Sequence, residues 1–495
     1  RIYEFVRKIG PQIKEYVKDA PSCIVAVSAS GQYFAVGMKH YLMREGINVP
    51  ILEVNRKGEK LYKSYLENKK VLIIDSAIYS GTTYRTIINK LKSLKEKYKI
   101  KDIKYAVAFD MGFNVQRLID FEEEGGIREN VGTQQLIQLD AIPNDNTISS
   151  WRPLVKAIAL SHGHFDHLGA VPYLEKNYRA PVYGTPYTMS VLQALLRDDN
   201  MSMKNKIVST PTGKIIPLGK NLELEFVSMT HSTLQSSVVA LHTKEGVILY
   251  VPDFKLDNHP VIGGKPDYER LAELKDEGVL ALFADSLYSH RDMKMPSEQV
   301  ARNMLKDVLF DTENRDSAIV GTCFASHLER LHSFIEFGNK MGREVVLLGR
   351  SMMKYCNAAE DIGLVNFKQK AQIVGYGRDV KRKLRDIEKK GPSDYLIICT
   401  GGQGEKHSVL SRMMREDYPF RFMSGDEVIF SNRIIPVEPN IANRHEIERR
   451  LREFGVRLFT DVHVSGHAAK EDIRELIQMT DPKHLIPCHG RPSLV

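Results

Sequence analysis

The stretch SHGHFDHLGA, residues Ser161–Ala170, decides the fold because it crowds three histidines and an aspartate into a few positions. The strand-like segment VKAIALS leads into it and the helix-like segment LGAVPYLEKNY follows it. His162 and His164 are two apart on extended chain, so their side chains leave on the same side. Asp166 and His167 follow where the chain turns. Imidazole and carboxylate at this spacing suit zinc or a similar first-row ion, and the motif can present ligand pairs to two neighbouring metals.

Two metals need more ligands than this motif supplies, and further candidates stand where other predicted strands end. They are His231 in MTHST, Asp253 in VPDF and His489 in PCHG. A single histidine at a strand end is typical of a solvated or hydrogen-bonded side chain, which is how we interpret most of the other histidines. The dense motif followed in order by three strand-end ligands instead predicts a two-metal site, in which a carboxylate such as Asp253 can bridge the ions.

The bulk properties predict a cytoplasmic, multidomain protein. The chain has 495 residues, with 42% hydrophobic and 27% charged residues, as in soluble proteins of several domains. No apolar run is long enough to span a bilayer, and the start, RIYEFVRKIGPQIKEY, is a charged helix pattern and not a signal peptide. Five scattered cysteines without a CxxC pair indicate a reducing compartment and argue against a thiolate zinc site. The net charge of +8 suits an anionic partner such as nucleic acid.

The texture of the chain predicts four consecutive α/β segments. Short apolar strands alternate with helices near the N-terminus, which indicates a parallel sheet. Strands at hairpin spacing follow, then a second alternating α/β stretch, and finally a return to histidine-rich loops. We place the boundaries at residues 1–105, 106–294, 295–433 and 434–495.

Two later segments, RDVKRKLRDIEKK and RHEIERRLREFG, cluster Arg and Lys on helix patterns. Such helices fit an RNA partner, but a solvated face held by i,i+4 ion pairs is an equally good interpretation of each one.

These features together resemble the metallo-β-lactamase fold, more narrowly its β-CASP nucleases, and within them archaeal-type ribonuclease J. The matching segments run from DMG near residue 110 through SHGHFDHLGAVPYL, GTPYT, THS, VPDFKLDN, GRSMMKYC, TGGQGE and FTDVHVSGHA to PCHG. The resemblance implies an α/β architecture, a metallo-β-lactamase αββα sandwich with an inserted β-CASP α/β domain.

The resemblance also implies a role for each matching residue. One Zn²⁺ would be held by His162, His164 and His231, and the other by Asp166, His167 and His489, with Asp253 bridging and Mn²⁺ or Mg²⁺ as possible substitutes. Asp110 would support the ligand loop. The residues in catalysis would be Asp166, Asp285, His467 and His489. The RNA path would be lined by Ser326, His327, Gly402 and Gln403, and phosphate would be contacted by His463, Ser465 and His467.

The function implied by the resemblance is zinc-dependent hydrolysis of RNA, as a 5′-to-3′ exonuclease that prefers a 5′-monophosphate. Endonucleolytic action and a homodimer stay open. The alternatives are another hydrolase on the same metal core, such as a DNA nuclease or a small-ester hydrolase, a non-catalytic RNA-binding or assembly module, and a nucleotide enzyme acting through the N-terminal domain. No glycine-rich first hairpin is visible before DMG, so we expect an exposed strand edge in the lactamase sheet.

The N-terminal segment KKVLIIDSAIYSGTTYRTI has an apolar strand ending at Asp75 and a Ser-Gly-Thr-Thr loop that opens a helix. Backbone amides of such a loop suit a phosphate. The segment resembles the phosphoribosyl-pyrophosphate loop of phosphoribosyltransferases, which implies a phosphoribosyltransferase-like parallel-sheet domain and a phosphorylated nucleotide as ligand. The phosphate-facing residues would be Asp75, Ser80, Gly81, Thr82 and Thr83.

Overall fold

The computed structural model of the chain forms two compact units, Arg1–Ser149 and Ser150–Val495. The structure describes residues 132–138, 141–436 and 438–490. In the rest of the first unit it describes four strands and a few isolated positions, Lys14, Leu42, Met43, Ile47 and Val49. The sites predicted at Asp110 and in the loop Ser80–Thr83 lie outside the described residues.

The first unit contains a four-stranded sheet in which every neighbouring pair is parallel. The strand order is β2-β1-β3-β4, and the parallel sheet predicted from the alternating N-terminal segments is confirmed. Asp75 is the last residue of the third strand. The elements are β1 (Ser22–Val27), β2 (Ile51–Val54), β3 (Lys70–Asp75), β4 (Asp102–Val107) and the short helix α1 (Thr133–Gln138).

The second unit begins with two sheets that belong to the lactamase-like part. A three-stranded parallel sheet has the order β5-β6-β7, and a six-stranded mixed sheet has the order β19-β12-β11-β10-β9-β8. The strands are β5 (Ile158–Leu160), β6 (Val182–Gly184), β7 (Ile207–Ser209), β8 (Ile215–Gly219), β9 (Leu222–Ser228), β10 (Ser237–Thr243), β11 (Gly246–Val251), β12 (Val279–Asp285) and β19 (His484–Cys488), and the helices are α2 (Phe165–Leu168), α3 (Val171–Leu174), α4 (Pro186–Asp198), α5 (Tyr268–Glu277) and α12 (Lys470–Thr480).

These two sheets face each other and carry helices on their outer sides. Leu224 and Phe226 of β9 pack against Ala159 of β5 and Tyr183 of β6. The opposite face of the larger sheet packs on α5 and α12, and α4 covers the smaller sheet. The predicted αββα sandwich is therefore present in the described residues.

A third sheet, parallel throughout, forms the inserted α/β part. Its order is β15-β14-β16-β13-β17-β18. The strands are β13 (Ile319–Thr322), β14 (Glu344–Leu348), β15 (Gln372–Val374), β16 (Tyr395–Cys399), β17 (Glu427–Phe430) and β18 (Arg457–Phe459), and the helices are α6 (Glu298–Phe310), α7 (Leu328–Lys340), α8 (Arg350–Glu360), α9 (Gly377–Lys390), α10 (Val409–Met414) and α11 (Glu438–Glu453). Short 3-10 segments span Asp145–Leu154, Glu175–Asn177, Phe367–Gln369 and Pro392–Asp394.

The inserted sheet has two different faces. Its helices α6, α7 and α8 share one hydrophobic core with α4 of the lactamase-like part, where the Ser190 hydroxyl donates to the Ala358 carbonyl at 2.7 Å. Helices α9, α10 and α11 pack on the other face in a separate core. One face therefore joins the sandwich, and the other carries an outer helical layer.

Strand β5 has a partner on one side only among the described residues. Beside it, the larger sheet and the segment leading into β5 border an open apolar pocket of about 460 Å³, lined by residues such as Leu154, Leu222, Tyr250 and Phe283. Leu154 is 69% exposed. In the part of the chain that the structure describes, no helix is long and apolar enough to cross a membrane.

Candidate metal centre

The candidate ligands meet because strands of the larger sheet end at one edge. Strands β9 and β11 both run antiparallel to β10, and β12 and β19 run parallel to β11. Their carboxyl ends therefore lie together, which brings His231, Asp253, Asp285 and His489 to the same edge. The Ser161 carbonyl accepts from the Ser237 amide and hydroxyl at 3.0 and 2.8 Å, and this fixes the histidine motif beside them.

The first cluster consists of His162, His164, His231 and Asp253. The Nε2 atoms of His162 and His231 lie 3.5 and 3.4 Å from Oδ2 of Asp253. Nδ1 of His164 lies 3.1 Å from Nε2 of His231. Four potential ligand atoms thus enclose one small volume, and only His164 among the four is not fully buried.

The second cluster consists of Asp166, His167 and His489. Nε2 of His167 lies 3.5 Å from Oδ2 of Asp166. The Nε2 atoms of His167 and His489 each lie 3.4 Å from Oδ1 of Asp253. His489 holds this position with a φ of 55°, a conformation that is uncommon outside glycine and tends to occur at functional sites.

Asp253 connects the two clusters through its two oxygens, since Oδ2 faces the first cluster and Oδ1 the second. Two ligand atoms at about 2.0–2.1 Å from a tetrahedral zinc lie roughly 3.3–3.4 Å apart. Several pairs of ligand atoms stand 3.1–3.5 Å apart, close to that value, and all atoms of each cluster lie within 4.8 Å of one another. The residues present therefore fit two adjacent cations with a bridging carboxylate.

Two histidines of the first cluster favour the neutral form that binds metal, whereas the Asp253 carboxylate, against the effect of burial, raises the pKa of His167 in the second. Burial lowers the pKa of His164 to about 3 and holds the pKa of His231 well below its usual value, so both imidazoles are neutral. Among the described residues, His162 Nε2, His167 Nε2 and Asp253 Oδ1 are buried without a hydrogen-bond partner. Buried polar atoms are rarely left unpaired, and one cation in each cluster would satisfy all three.

Two residues that the sequence interpretation did not assign orient the ligands. Nδ1–H of His231 donates to the Gly466 carbonyl at 2.7 Å, which leaves the Nε2 lone pair facing the cluster. The Ser161 hydroxyl lies 3.0 Å from Nδ1 of His162. Such outer hydrogen bonds fix the tautomer and direction of a ligating histidine. Gly466 stands inside the quoted HVSGH motif, but nothing in its residue type signals the contact.

His467 and Asp285 form a pair at the rim of the two clusters. Nδ1–H of His467 donates to Oδ2 of Asp285 at 2.8 Å, and its Nε2 lies 4.0 Å from Oδ2 of Asp253. The ring stacks on His489 with centroids 5.2 Å apart. Although burial opposes the charged form, the Asp285 and Asp253 carboxylates raise the pKa of His467 to about 9. The Leu287 amide donates to the other oxygen of Asp285, so this buried carboxylate is fully engaged in positioning.

The residues predicted to contact RNA differ in solvent exposure and in hydrogen bonding. Ser326 is partly exposed, whereas His327 is buried with Nε2 3.5 Å from Oε2 of Glu298. His463 is mostly buried and its Nδ1 has no hydrogen-bond partner among the described residues. The Ser465 hydroxyl accepts from the His467 amide at 3.1 Å.

The TGGQGE loop is held from within. Gln403 is 5% exposed, its amide group donates to the Arg433 carbonyl at 2.7 Å, and its side-chain oxygen accepts from the Ile435 amide. The Gly402 carbonyl accepts from Asn432 and Arg444 at 3.0 and 2.6 Å. The structure thus places the Gln403 side chain inside the loop and away from solvent.

A buried arginine that the sequence interpretation missed ties the inserted part to the site. Nε and Nη2 of Arg330 donate to the two oxygens of Glu298 at 2.7 and 2.9 Å. Its Nη1 donates to the carbonyls of Ser431 and Val462 at 2.9 and 3.0 Å. Val462 directly precedes the HVSGH segment, so Arg330 fixes the start of the loop that carries Gly466 and His467.

Comparison with known families and proteins adds an independent result. Residues 154–305 match the metallo-beta-lactamase superfamily, residues 316–449 match the ribonuclease J beta-CASP domain, and residues 456–494 match the Zn-dependent metallo-hydrolase RNA specificity domain. Ribonuclease J of Methanocaldococcus jannaschii is 41% identical over 385 residues, which is 78% of this chain and 86% of that protein.

Two further relatives extend this likeness. Ribonuclease J of Pyrococcus abyssi is 39% identical over 386 residues, covering 78% of this chain and 84% of that protein. Ribonuclease J of Helicobacter pylori strain J99 is 30% identical over 468 residues, covering 90% of this chain and 63% of that protein.

Proposed function

Because the chain belongs to the ribonuclease J family, we propose that it hydrolyses RNA phosphodiester bonds at the metal centre built from the two His/Asp clusters. The observation that carries this proposal is the Asp253 carboxylate, whose oxygens face one histidine cluster each. Bridging carboxylates are typical of two-metal hydrolases, in which a pair of ions acts on one phosphate.

We assign the ions as Zn²⁺, with Mn²⁺ or Mg²⁺ as possible substitutes. One would be held by His162, His164, His231 and Asp253, and the other by Asp166, His167, His489 and Asp253. The donor set of imidazole nitrogens and carboxylate oxygens, with no thiolate, suits zinc. When bound, the ions would lower the pKa of a water and offset the charge of the phosphate.

The protein residues around the ions position the phosphate and its charge. His467 directs Nε2 toward the clusters, because Asp285 accepts its Nδ1–H at 2.8 Å. An N–H at Nε2 would donate to a phosphate oxygen and stabilise negative charge that develops there. Asp285 acts through His467, since both its oxygens already accept hydrogen bonds. His463 and Ser465, on the same loop, are the proposed contacts to a terminal phosphate.

The polarity that we propose is 5′-to-3′ exonucleolytic, with preference for a 5′-monophosphate and with possible endonucleolytic cutting. End-labelled single-stranded RNAs carrying 5′-monophosphate or 5′-triphosphate, incubated with and without chelator, test it. We expect mononucleotides from the monophosphate RNA and no product with chelator. Cleavage that persists in chelator would contradict the metal mechanism, and equal cutting of DNA of the same sequence would favour a general nuclease.

The Asp166→Ala variant tests the site directly. We expect loss of cleavage and of bound metal, because one oxygen of the second cluster is removed. Asp276→Ala, at an exposed position of α5, is the matched control and should retain both. Full cleavage by Asp166→Ala with two ions still bound would contradict the assignment.

We also propose that residues 1–105 form a phosphoribosyltransferase-like domain that binds a phosphorylated nucleotide. The all-parallel sheet β2-β1-β3-β4 and the position of Asp75 at the end of β3 support it. Calorimetric titration with phosphoribosyl pyrophosphate tests it, with Asp75→Asn as the variant expected to weaken binding. Absence of any heat at millimolar ligand would contradict it.

The remaining assignments complete the proposal. We propose the four predicted parts, 1–105, 106–294, 295–433 and 434–495, with two boundaries moved, because β4 (Asp102–Val107) belongs to the first sheet and both α11 (Glu438–Glu453) and β18 (Arg457–Phe459) belong to the inserted part. Cytoplasmic location is supported by Cys323, Cys356 and Cys399, which are free and buried. A homodimer is open to test by light scattering of the purified chain.

A further inference from the structure

Helix α9 (Gly377–Lys390) carries a stripe of basic side chains along its solvent face. The stripe consists of Arg378, Lys381, Arg382, Arg385 and Lys389, all exposed. At about 100° per residue, these five point to within roughly 60° of one direction. The buried residues Val380, Leu384 and Ile387 point to the opposite side. The acidic residues of the helix lie on the flanks, so the outermost surface is basic alone.

Most of this charge has no partner in the described residues. Arg382 pairs with Asp379 at 2.9 Å, whereas no ion pair of Arg378, Lys381, Arg385 or Lys389 is present in that part of the chain. Uncompensated like charges on one helix face are unfavourable by a few tenths of a kcal/mol per pair. A stripe of this kind is therefore better explained by an anionic partner than by a contribution to stability.

Helix α11 (Glu438–Glu453) serves as a comparison, since the sequence clusters basic residues there too. There Arg449 pairs with Glu446 and Glu453, Arg450 also pairs with Glu446, and Arg452 pairs with Glu448. These exposed arginines are neutralised within their own helix. The two helices thus differ in charge: α9 carries seven Lys and Arg against three acidic residues, whereas α11 carries four Arg against four Glu.

The stripe lies on a face of the protein remote from the lactamase-like part. Helix α9 packs with α10 and α11 on one side of the inserted sheet, whereas the helices that join the sandwich pack on the other side. An anion that binds the stripe would therefore bind separately from the residues assigned to the metal centre.

The end of the stripe adds an aromatic side chain and one more cation. Tyr376, which immediately precedes the helix, is 57% exposed. A Cβ atom placed on Gly377 would lie 3.6 Å from Nη1 of Arg412, so this partly exposed guanidinium, which also donates to the Tyr418 hydroxyl at 3.1 Å, stands beside the first turn. Basic side chains next to an exposed aromatic ring are what binds the phosphates and a stacked base of single-stranded nucleic acid.

We propose that the α9 stripe, with Tyr376 and Arg412 at its start, binds the phosphate backbone of single-stranded RNA outside the active site. The inference rests on the proposed function, because the bound RNA is a distal part of the substrate. From Arg378 to Lys389 the helix rises about 16 Å, which is long enough to face several phosphates of one strand. Long substrates would thus be held at two places and short ones at the active site alone.

The test compares two protein variants on two lengths of RNA. The stripe variant is Lys381→Gln, Arg385→Gln and Lys389→Gln, and the matched control is Arg449→Gln, Arg450→Gln and Arg452→Gln, which removes the same charge from α11. Fluorescence anisotropy of the full chain measures affinity against salt for single-stranded RNAs made resistant to cleavage by phosphorothioate linkages. One RNA fills the active site only, and the other is several times longer.

For the stripe variant we expect the affinity for long RNA relative to short RNA to fall about tenfold, and the salt slope for long RNA to fall by roughly two, since each lost phosphate contact removes about 0.7. The α11 control should lose less than about a third of that slope. A stripe variant that binds long RNA like the wild type would overturn the inference, as would equal losses on both RNAs. Wild-type protein that cannot cleave unprotected short RNA would instead refute the proposed function.

Discussion

Replacing Arg330 by methionine should destabilise the second unit strongly. The guanidinium is fully buried and forms a two-pronged ion pair with Glu298, at 2.7 and 2.9 Å. Methionine fills much of the space of the arginine stem, so the cavity left behind is small. The Glu298 carboxylate, however, is 1% exposed and would remain buried without its counter-charge.

The magnitude follows from the groups left without partners. Removing one member of a buried ion pair costs about 3–5 kcal/mol. The Val462 carbonyl keeps a donor, because the Ser431 hydroxyl also reaches it at 2.6 Å, so the further loss there is small. We expect Arg330→Met to lower the free energy of unfolding by about 4 kcal/mol. Arg330→Lys should recover little, since an ammonium cannot reproduce the planar, two-pronged geometry.

Urea unfolding of the full chain, followed by far-ultraviolet circular dichroism, measures this loss. The companion variant Glu298→Met and the double variant complete a cycle, and the double variant should be more stable than Arg330→Met because no buried charge is left alone. Arg330→Met should also cleave RNA more slowly, because the loop after Val462 loses one of its anchors. A loss below about 1 kcal/mol for Arg330→Met, or strict additivity in the cycle, would refute the reasoning.

Three further predictions concern a metal ligand, a residue that orients a ligand, and the ion pairs of the buried Glu225. Asp253→Ala should reduce bound metal from two ions to one or none and abolish cleavage, because both clusters lose an oxygen; two ions by mass spectrometry would contradict this. Gly466→Ala should weaken metal binding about 10–100-fold. The added Cβ would lie 2.7 Å from the Ser232 side chain and displace the carbonyl that orients His231. Unchanged metal affinity in a chelator competition would count against that role. The hydrogen bond from His242 helps to hold the pKa of Glu225 at about 2 despite burial, and it raises the pKa of His242. The stability gained from the lowered pKa of Glu225 is lost as the pH falls from about 4.5 toward 2, and the stability gained from the raised pKa of His242 is lost as the pH rises above about 6.5. Glu225→Gln should therefore lower the free energy of unfolding by about 2 kcal/mol near pH 5.5 and by less outside that window. Urea unfolding at a series of pH values measures this difference.

The sequence was sufficient to bring the candidate ligands together because their positions depend on local rules. The H-x-H-x-D-H motif meets the isolated ligands because those ligands follow strands that end at the same edge of the sheet. Strands β9 and β11 both run antiparallel to β10, so their carboxyl ends lie at one edge. The alternating strands and helices likewise predicted the parallel sheets, since each element has its own periodic signal. The contacts of Gly466 and Ser161 that orient the ligating histidines did not follow from any sequence pattern.

What could not be predicted depends on contacts between distant segments. Gln403 was expected along the RNA path, yet the structure places its side chain in hydrogen bonds to Arg433 and Ile435, and no local pattern distinguishes these two uses of a glutamine. Both segments cluster basic residues, but α9 carries seven Lys and Arg against three acidic residues and α11 four against four. The glutamates of α11 stand at i,i+3 and i,i+4 from its arginines, whereas the stripe of α9 has no acidic residue on its own face. The charge difference follows from the sequence, but the pairing and the face can be read only after the bounds of each helix are known.

The two parts of the second unit are coupled through one short segment of chain. Arg330 of the inserted part holds the Val462 carbonyl, and four residues later the Gly466 carbonyl fixes the tautomer of His231 in the lactamase-like part. His467, next in sequence, is bound to Asp285 at the end of β12. Displacement of Val462 would therefore reach a metal ligand and the proposed phosphate contacts together. The packing of the inserted part therefore helps to hold the HVSGH loop against His231, and damage to that packing should lower metal affinity even when every ligand is intact.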